Sequence, residues 1–400
     1  MDAEHPELVD VPQPMCGELT ENPTVYIYKY YCGGLLVSTI GIVGILGDVC
    51  SILVLSRPKL QDCFHQLLIA LAAFDILYIL CGGINYTVRA FEFKSDIYTI
   101  AFPHFIYPFA NIGLCGTIFM TVAISIERFL GICYPLHLPP HNRKSWFYIL
   151  PVLVLAILVN IPKFLESEVT WYYEGNAIEN LKVQVGNVTV LDIPQWVPTY
   201  HVTPLRRNSE YMKYYIVYFR MFLTAIIPLI LMVFLNLRII IDIGTIKVKS
   251  FGSSSRWRSE LNLFIILLCI VITFCCCHTP RVIIDMWEFS NLNNIIMCID
   301  LKKTNPNENF LPPTWIRCLT HVSHTMSILN SSVNFLIYSF VGHTFRREFF
   351  LLIGCEKSCR FFPKTSNSRR KQEHGVSHQK PNEPFTDIIE EEEKERMLEV

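Results

Sequence analysis

Seven apolar segments, each long enough to cross a lipid bilayer, constrain this sequence more than any other feature. A bilayer core about 30 Å thick takes about 20 helical residues at a rise of about 1.5 Å each. The segments that meet this length are residues 31–55, 64–84, 100–134, 146–164, 211–243, 261–287 and 319–340. The composition agrees, because 51% of the 400 residues are hydrophobic and only 17% are charged. The sequence therefore predicts an all-α membrane protein with a seven-transmembrane-helix bundle over residues 31–340.

Charged residues in the connecting loops predict the orientation of the chain. Alternate loops are rich in lysine and arginine, which is typical of the cytoplasmic side. These basic residues are Arg57, Lys59, Arg143, Lys144, Lys247, Lys249, Arg256, Arg258, Arg346 and Arg347. No basic residue precedes Lys29, which excludes a secretory signal peptide with its basic start. We expect a multi-pass plasma-membrane protein with an extracellular tail over residues 1–30 and a cytoplasmic C-terminus.

The loop after the fourth segment predicts an extracellular β-hairpin. Apolar and other residues alternate on both sides of a Gly186-Asn187 turn, a pattern typical of two short antiparallel strands. The alternating apolar residues are Leu181, Val183, Val185, Val188 and Val190. The sequons at Asn85 and Asn187 fall on the same side of the membrane. Both asparagines are therefore predicted to carry N-linked glycans.

Most of the cysteines lie inside apolar segments, where a thiol packs as a small hydrophobic group. Four of them lie outside or near the outer surface, where disulfides are stable, and these are Cys16, Cys32, Cys298 and Cys318. Sequence alone does not fix their pairing. A bridge between Cys16 and Cys298 is one hypothesis among the alternatives.

The C-terminal residues predict a membrane-surface helix followed by a tail. Apolar residues repeat on one helical face within residues 341–360, as in an amphipathic helix that lies on the cytoplasmic leaflet. This face contains Phe345, Phe349, Leu352 and Ile353. Cys355 and Cys359 follow, either as palmitoylation sites or as free thiols. Residues 361–400 are polar and highly charged, which predicts a disordered cytoplasmic tail.

Ionisable residues inside the predicted spans are candidate functional groups, because burying them in a membrane is costly. They are Asp48, Asp75, Arg128, His278, Asp285, His321 and His324. Two carboxylates that share a dry site cannot both ionise cheaply unless a cation lies between them. Glu127 precedes Arg128, and such neighbours either hold each other in an inactive state or form an ordinary ion pair at a helix end.

Several motifs occur in the order found in one receptor family. Glu127-Arg128-Phe129 resembles the Asp/Glu-Arg-Tyr motif of rhodopsin-like (class A) G protein-coupled receptors. Residues 71–75 resemble the second-span aspartate motif of that family, and residues 334–338 resemble its Asn-Pro-x-x-Tyr motif with Phe335 in place of proline. Residues 160–166, 277–281 and 330–335 are similar to local signatures of the invertebrate FMRFamide-type neuropeptide receptors.

This resemblance implies a receptor, not an enzyme, that binds an extracellular FMRFamide-like amidated neuropeptide and activates a heterotrimeric G protein. Glu127, Arg128, Asn334 and Tyr338 would form the switch that couples to the G protein. Arrestin-type regulators and membrane lipid are further expected partners. The net charge of -1 gives no indication of nucleic-acid binding.

The resemblance also implies a polar core that binds an allosteric sodium ion and no other cofactor. Its oxygen ligands would come from Asp75, Thr117, Asn330 and Asn334, with Asp48 close by. A hard cation suits such oxygen ligands. Asp48 replaces the asparagine usual in the family, so signalling is expected to depend on sodium and pH more than in relatives. The alternative is a neutral, hydrogen-bonded Asp48.

A ligand pocket is expected near the outer ends of the helices. Asn111, His278 and His324 are expected to face it. Arg281, Asp285 and Glu288 share one face of the sixth segment, where Arg281 and Asp285 form an intrahelical ion pair or an acidic residue receives a ligand arginine. Glu166 and Glu168 are alternative carboxylates for that role.

Other functions remain as alternatives. A chemosensory receptor for a small molecule would share the same fold. A channel or transporter is disfavoured because the sequence shows no internal repeat. The cluster of residues 275–278 with His321 and His324 is disfavoured as a metal site, because consecutive helical residues point in different directions.

The sequence also departs from the rhodopsin-like family it resembles. Members of that family usually have a disulfide between the third span and the following extracellular loop, and the cysteines for it are absent here. We therefore expect packing to hold the hairpin.

Overall fold

The computed structural model describes residues 16–17, 22–134, 144–174, 195–249, 255–305 and 309–354. The described residues up to Phe349 belong to one compact unit, and residues 350–354 are the described part of a second one. The helices are α1 Pro23–Leu55, α2 Cys63–Ala90, α3 Asp96–Cys133, α4 Trp146–Leu165, α5 (residues 209–249), α6 Ser255–Ser290, α7 Leu292–Thr304, α8 Thr314–Ser332, α9 Asn334–Val341 and α10 His343–Leu352. A short 3-10 turn, Pro58–Leu60, connects α1 to α2.

Six helices of the described residues, α1 to α6, are long and apolar enough to cross a membrane. The seventh predicted span is α8 followed by α9, with Val333 between them. It is less apolar than the others because polar side chains face inward. Those buried in α8 include Ser323, Thr325, Ser327, Asn330 and Ser331. The bundle of seven spans is therefore present, and its last member is recognisable from buried polar residues rather than from hydropathy.

At the end of the bundle where α1 begins, three helices extend further than the sequence predicts. α1 begins at Pro23, after Asn22, whose side chain accepts a hydrogen bond of 2.9 Å from the backbone N–H of Thr24. α3 begins at Asp96, after the N-cap residue Ser95. Capping side chains therefore extend both helices beyond their apolar segments, and α2 continues to Ala90. We call this end the N-terminal end of the bundle.

Two strand pairs lie at the N-terminal end. β2 Ser167–Glu174 and β3 Gln195–Val202 pair antiparallel, from Ser167 opposite Val202 to Glu174 opposite Gln195. The loop after the fourth span therefore contains an antiparallel strand pair, whereas the predicted strands and turn within residues 181–190 lie outside the described residues. β1 Cys16–Gly17 pairs with β4 Asn309–Phe310.

A disulfide joins the N-terminal segment to α7. Cys16 and Cys298 are bonded, with their Cα atoms 5.6 Å apart. Cys32 and Cys318 are free thiols. The structure thus confirms the Cys16–Cys298 hypothesis among the possible pairings and shows where the chain before α1 is attached.

α2 and α3 pack at unusually short range. A Cβ atom built on Gly113 of α3 would lie 2.7 Å from the backbone nitrogen of Tyr78 in α2. Gly113 is therefore the residue at which the two helix backbones meet. This contact brings the buried side chains of α2 next to those of α3, which positions the polar core described below.

α10 is the amphipathic helix predicted after the last span. Phe345 and Glu348 are buried on its inner side, and Phe345 packs against Tyr338 with ring centroids 5.7 Å apart. The carboxylate of Glu348 lies 3.2 Å from the ammonium group of Lys59. The α1–α2 turn and α10 are thereby linked. Cys355 and Cys359 lie outside the described residues.

Candidate functional site

A polar core lies between α1, α2, α3 and α9. Asp75 is fully buried and accepts hydrogen bonds of 2.8 Å from the Thr117 hydroxyl and 2.7 Å from the Asn334 amide. Asp48 is fully buried too, and electrostatic repulsion acts between it and Asp75. Asn330 is buried one turn before Asn334, but no hydrogen bond from its side chain to Asp75 occurs among the described residues. The carboxylate pair expected from the sequence is therefore brought together.

Asp48 differs from Asp75 in its surroundings. Neither oxygen of the Asp48 carboxyl group has a hydrogen-bond partner. A buried polar group without a partner costs about 1–3 kcal/mol. Asp48 is therefore an unsatisfied acceptor next to a satisfied carboxylate.

An ion pair lies near the C-terminal end of α3, at the end of the bundle opposite its N-terminal end. The Nε and Nη2 atoms of Arg128 lie 2.5 and 2.7 Å from the two carboxylate oxygens of Glu127. Both residues are buried, and the Arg128 guanidinium stacks 4.6 Å above the ring of Phe64. Tyr338 of α9 is buried as well. This geometry holds the guanidinium in a planar, two-bond contact inside its own chain.

A cavity of about 490 Å³ lies between the helices at the N-terminal end. Residues of α2, α3, α4, α5, α6 and α8 line it. Asn111, His278, Arg281 and His324 are among these residues, as the sequence led us to expect for a pocket. His324 stacks on Tyr86 at 4.1 Å between ring centroids, and His278 stacks on Phe274 at the same distance.

Asp285 and Glu288 are not lining residues of this cavity; basic side chains cover the buried Asp285, whereas the side chain of Glu288 is 30% exposed. Asp285 Oδ1 lies 2.9 Å from Arg281 Nη2 and 3.1 Å from Arg220 Nη2. Glu288 lies 3.0 Å from the same Arg220 nitrogen. The structure therefore shows the intrahelical pair between Arg281 and Asp285, and it adds a bridge from Arg220 of α5 to α6.

Glu166, the other predicted pocket carboxylate, is 1% exposed and lies behind the cavity wall. Its carboxylate is 2.7 Å from Lys163 Nζ and accepts hydrogen bonds of 2.8 Å from Tyr107 and 2.7 Å from Tyr211. Arg206 lies 3.4 Å away. Burial favours the neutral acid, but Lys163 and Arg206 outweigh it and hold the pKa of Glu166 below its usual range. Glu166 is thus an anchor for α3, α4 and α5.

The surroundings of Asn85 correct the prediction of a glycan on this residue. Because α2 continues to Ala90, Asn85 is a buried helical residue and not a loop residue. Its side-chain oxygen accepts a hydrogen bond of 3.0 Å from the Tyr98 hydroxyl, and the residue lines the cavity. A glycan does not fit there. Asn187, the other predicted site, lies outside the described residues.

The arrangement of spans, polar core and α3 ion pair matches a known family. The sequence pattern of the family described as "7 transmembrane receptor (rhodopsin family)" matches residues 48–338. The chain belongs to the rhodopsin family of seven-transmembrane receptors. It is therefore a membrane receptor by family and not an enzyme.

Relatives of this receptor include proteins of insects and nematodes. The FMRFamide receptor of Drosophila melanogaster is 27% identical over 335 residues, which cover 81% of this chain and 54% of that protein. The probable G-protein coupled receptor frpr-1 of Caenorhabditis elegans is 26% identical over 330 residues, covering 78% and 76%. The FMRFamide peptide receptor frpr-18 of the same nematode is 23% identical over 327 residues, covering 78% and 68%. The chain spans about half the length of the Drosophila relative.

Sequence reasoning found Arg281 but missed the three other basic residues that line the cavity of this receptor. Lys163 lies in the last turn of α4, Arg220 lies within α5, and Arg89 lies near the end of α2. The rule that flags ionisable residues inside a span applies to Arg220 as well as to Asp75. Arg89 was hidden because the second span was predicted to end before it. The helical pattern that continues after residue 84 is the feature of the sequence that could have placed Arg89 in the second span.

We expect Asp48→Asn to stabilise the receptor by about 1–3 kcal/mol. The asparagine amide can donate a hydrogen bond to the neighbouring Asp75, whereas the carboxylate of Asp48 repels it. Thermal unfolding of purified receptor in detergent measures the change. Asp75→Asn is the matched control and should have the opposite sign, because an asparagine has one acceptor oxygen where Asp75 uses two, for Thr117 and for Asn334. A destabilised Asp48→Asn variant would contradict this account.

Proposed function

We propose that this receptor binds an extracellular FMRFamide-like neuropeptide in the cavity and activates a heterotrimeric G protein. The observation that carries the proposal is the cavity itself, since it lies between six spans at the end where the hairpin and the disulfide are found. Its volume of about 490 Å³ suits part of a short peptide rather than a whole protein. The names of the Drosophila and Caenorhabditis relatives support the ligand class.

The proposed orientation places the N-terminal end outside the cell and the other end in the cytoplasm, with the receptor in the plasma membrane. Arg57, Lys59, Lys144, Arg346 and Arg347 support it, because all five lie toward the end of the bundle opposite the cavity. A positive excess there is typical of cytoplasmic loops. The disulfide at the N-terminal end agrees, because disulfides persist in extracellular surroundings.

Coupling follows from the pair at the end of α3. The Arg128 guanidinium is held by Glu127 and is buried, so it is hidden from a cytoplasmic partner. Breaking the pair frees a planar five-donor group for a backbone or carboxylate of the G protein. Arrestin-type regulators would approach the same end, and lipid would contact the exposed apolar faces of the spans.

A sodium ion is the candidate allosteric ligand of the polar core. The residues fit such an ion, because Asp48 presents two buried oxygens without partners beside Asp75 and the Thr117 hydroxyl. Asp75, Thr117, Asn330 and Asn334 would hold it, with Asp48 as an additional carboxylate. The ion would supply the positive charge that two adjacent carboxylates need.

The test is a G protein activation assay on cells that display the receptor, with a panel of amidated peptides ending in Arg-Phe-amide. We expect a potent response that Arg128→Ala removes while peptide binding persists. Glu127→Gln should instead raise the activity without peptide, because it releases Arg128. Silence across the panel despite surface display would refute the ligand class. A full response from Arg128→Ala would refute the coupling role.

A further inference from the structure

Basic side chains from four different helices line the cavity. Arg89 comes from α2, Lys163 from α4, Arg220 from α5 and Arg281 from α6. No aspartate or glutamate is among the lining residues in the described part of the chain. The wall of the cavity is therefore positive on several sides, although the sequence suggested acidic residues there.

The carboxylates that balance these bases lie behind them. Asp285 is 2% exposed and uses a single oxygen, Oδ1, for both Arg281 and Arg220. Glu166 is held by Lys163 and Arg206. Because each acid is covered by its basic partners, an entering molecule meets the guanidinium and ammonium groups first.

The bases also outnumber the acids. Arg89 has no carboxylate within ion-pair distance among the described residues, and its guanidinium lies 4.8 Å above the ring of Phe102. Arg206 shares Glu166 with Lys163, and Arg220 shares Asp285 with Arg281. In the described part of the chain, four bases thus meet the three carboxylates of Glu166, Asp285 and Glu288, and Arg89 adds a fifth positive charge without a carboxylate. The excess of positive charge in a cavity walled by apolar side chains attracts an anion strongly.

Unused hydrogen-bonding atoms lie at the same place. The Nε atom of Arg220 is buried without an acceptor, and the Nε2 atom of His278, which donates or accepts depending on the tautomer, is buried without a partner. Both residues line the cavity. Polar atoms that are buried without partners are uncommon in native structures, and a ligand that supplies the partner is one explanation.

We propose that the ligand places a carboxylate group in this cavity. This inference rests on the proposed function of the protein as a ligand-binding receptor. A carboxylate matches the planar fork of Arg220 or Arg281 and adds the missing negative charge. A ligand arginine would instead add to the positive excess and would have to displace both arginines from Asp285. An amidated peptide offers a carboxylate only on an aspartate or glutamate side chain, whereas a peptide with a free C-terminus offers a second source.

The experiment is affinity selection on purified full-chain receptor with two random hexapeptide pools, one amidated and one with free C-termini. Mass spectrometry identifies the bound peptides. We expect peptides with aspartate or glutamate to be enriched about tenfold over their asparagine or glutamine counterparts in the amidated pool. Enrichment of the free-acid pool regardless of side chains would identify the C-terminus as the source. Enrichment of basic peptides, no charge preference, or no retained peptide would overturn the proposal.

Variants of the lining residues test whether the preference for acidic peptides arises in the cavity. Arg281→Gln and Arg89→Gln should each reduce the acidic enrichment, and Arg220→Lys should keep most of it because the charge remains. Arg89→Gln guards against misfolding, because it leaves no carboxylate without its partner. Lys213→Gln is the matched control, since it removes one positive charge from α5 without lining the cavity. An equal loss in this control would overturn the assignment.

The two proposals fail separately. If acidic peptides are enriched while the Arg-Phe-amide panel evokes no G protein response, the carboxylate inference stands and the signalling proposal is wrong. If peptides activate the G protein without any preference for acidic groups, signalling stands and the carboxylate inference is wrong.

Discussion

Glu166→Gln is expected to destabilise the receptor by about 3–5 kcal/mol, because it leaves Lys163 as a buried cation without its counter-ion. Lys163 is only 4% exposed, and its ammonium group lies 2.7 Å from the carboxylate. The same oxygens accept the hydroxyl hydrogens of Tyr107 and Tyr211. One substitution therefore weakens the contacts of three spans. Thermal unfolding of detergent-purified receptor measures the effect.

Two further variants make this prediction specific. Glu168→Gln changes the same side chain on an exposed position of β2 and should alter stability little. The double variant Lys163→Met with Glu166→Leu replaces the buried pair by apolar groups and should recover most of the loss. Equal stability of Glu166→Gln and Glu168→Gln would contradict the account.

The same interaction predicts a dependence on pH. Lys163 and Arg206 hold the pKa of Glu166 below its usual range against the effect of burial. A depressed carboxyl pKa contributes stability that is fully present above the unfolded value, about 4.3, and is lost as the pH falls through the folded value. The stability difference between the native receptor and Glu166→Gln should therefore shrink on acidification and stay constant near neutral pH.

The spans and the polar core could be predicted from the sequence because their signals are local. Apolar length marks the first six spans, and a lone aspartate in an apolar run marks Asp75. The hydrogen bonds from Thr117 and Asn334 to Asp75 needed the family resemblance, because these residues are far apart in the chain.

The electrostatics of the cavity could not be predicted in the same way. The spacing of Arg281 and Asp285 fits both an ion pair and a ligand-binding acid. What decides between them is Arg220, a residue of another helix that completes the shell around Asp285. Asn85 shows the same limit, since a sequon identifies a modifiable residue only when the helix has already ended, and α2 ends at Ala90.

Gly113→Ala is expected to destabilise the receptor by about 1–3 kcal/mol or more, through overpacking between α2 and α3. The added Cβ would lie 2.7 Å from the backbone nitrogen of Tyr78 and 2.9 Å from its Cα atom. Both are backbone atoms, so no rotation of a side chain relieves the contact. The two helices must separate, and Tyr78, a lining residue of the cavity, must move with α2.

Gly83→Ala is the matched control on α2, because a Cβ atom there has no neighbour within 4 Å. Alanine is a better helix former than glycine by about 1 kcal/mol, so this variant should be neutral or more stable. Thermal unfolding of the two variants therefore gives opposite signs for the same chemical change. The gain in helix propensity applies at both positions. A Gly113→Ala receptor as stable as the Gly83→Ala receptor would therefore show that α2 and α3 can separate without cost. Close packing in the bundle does not allow that.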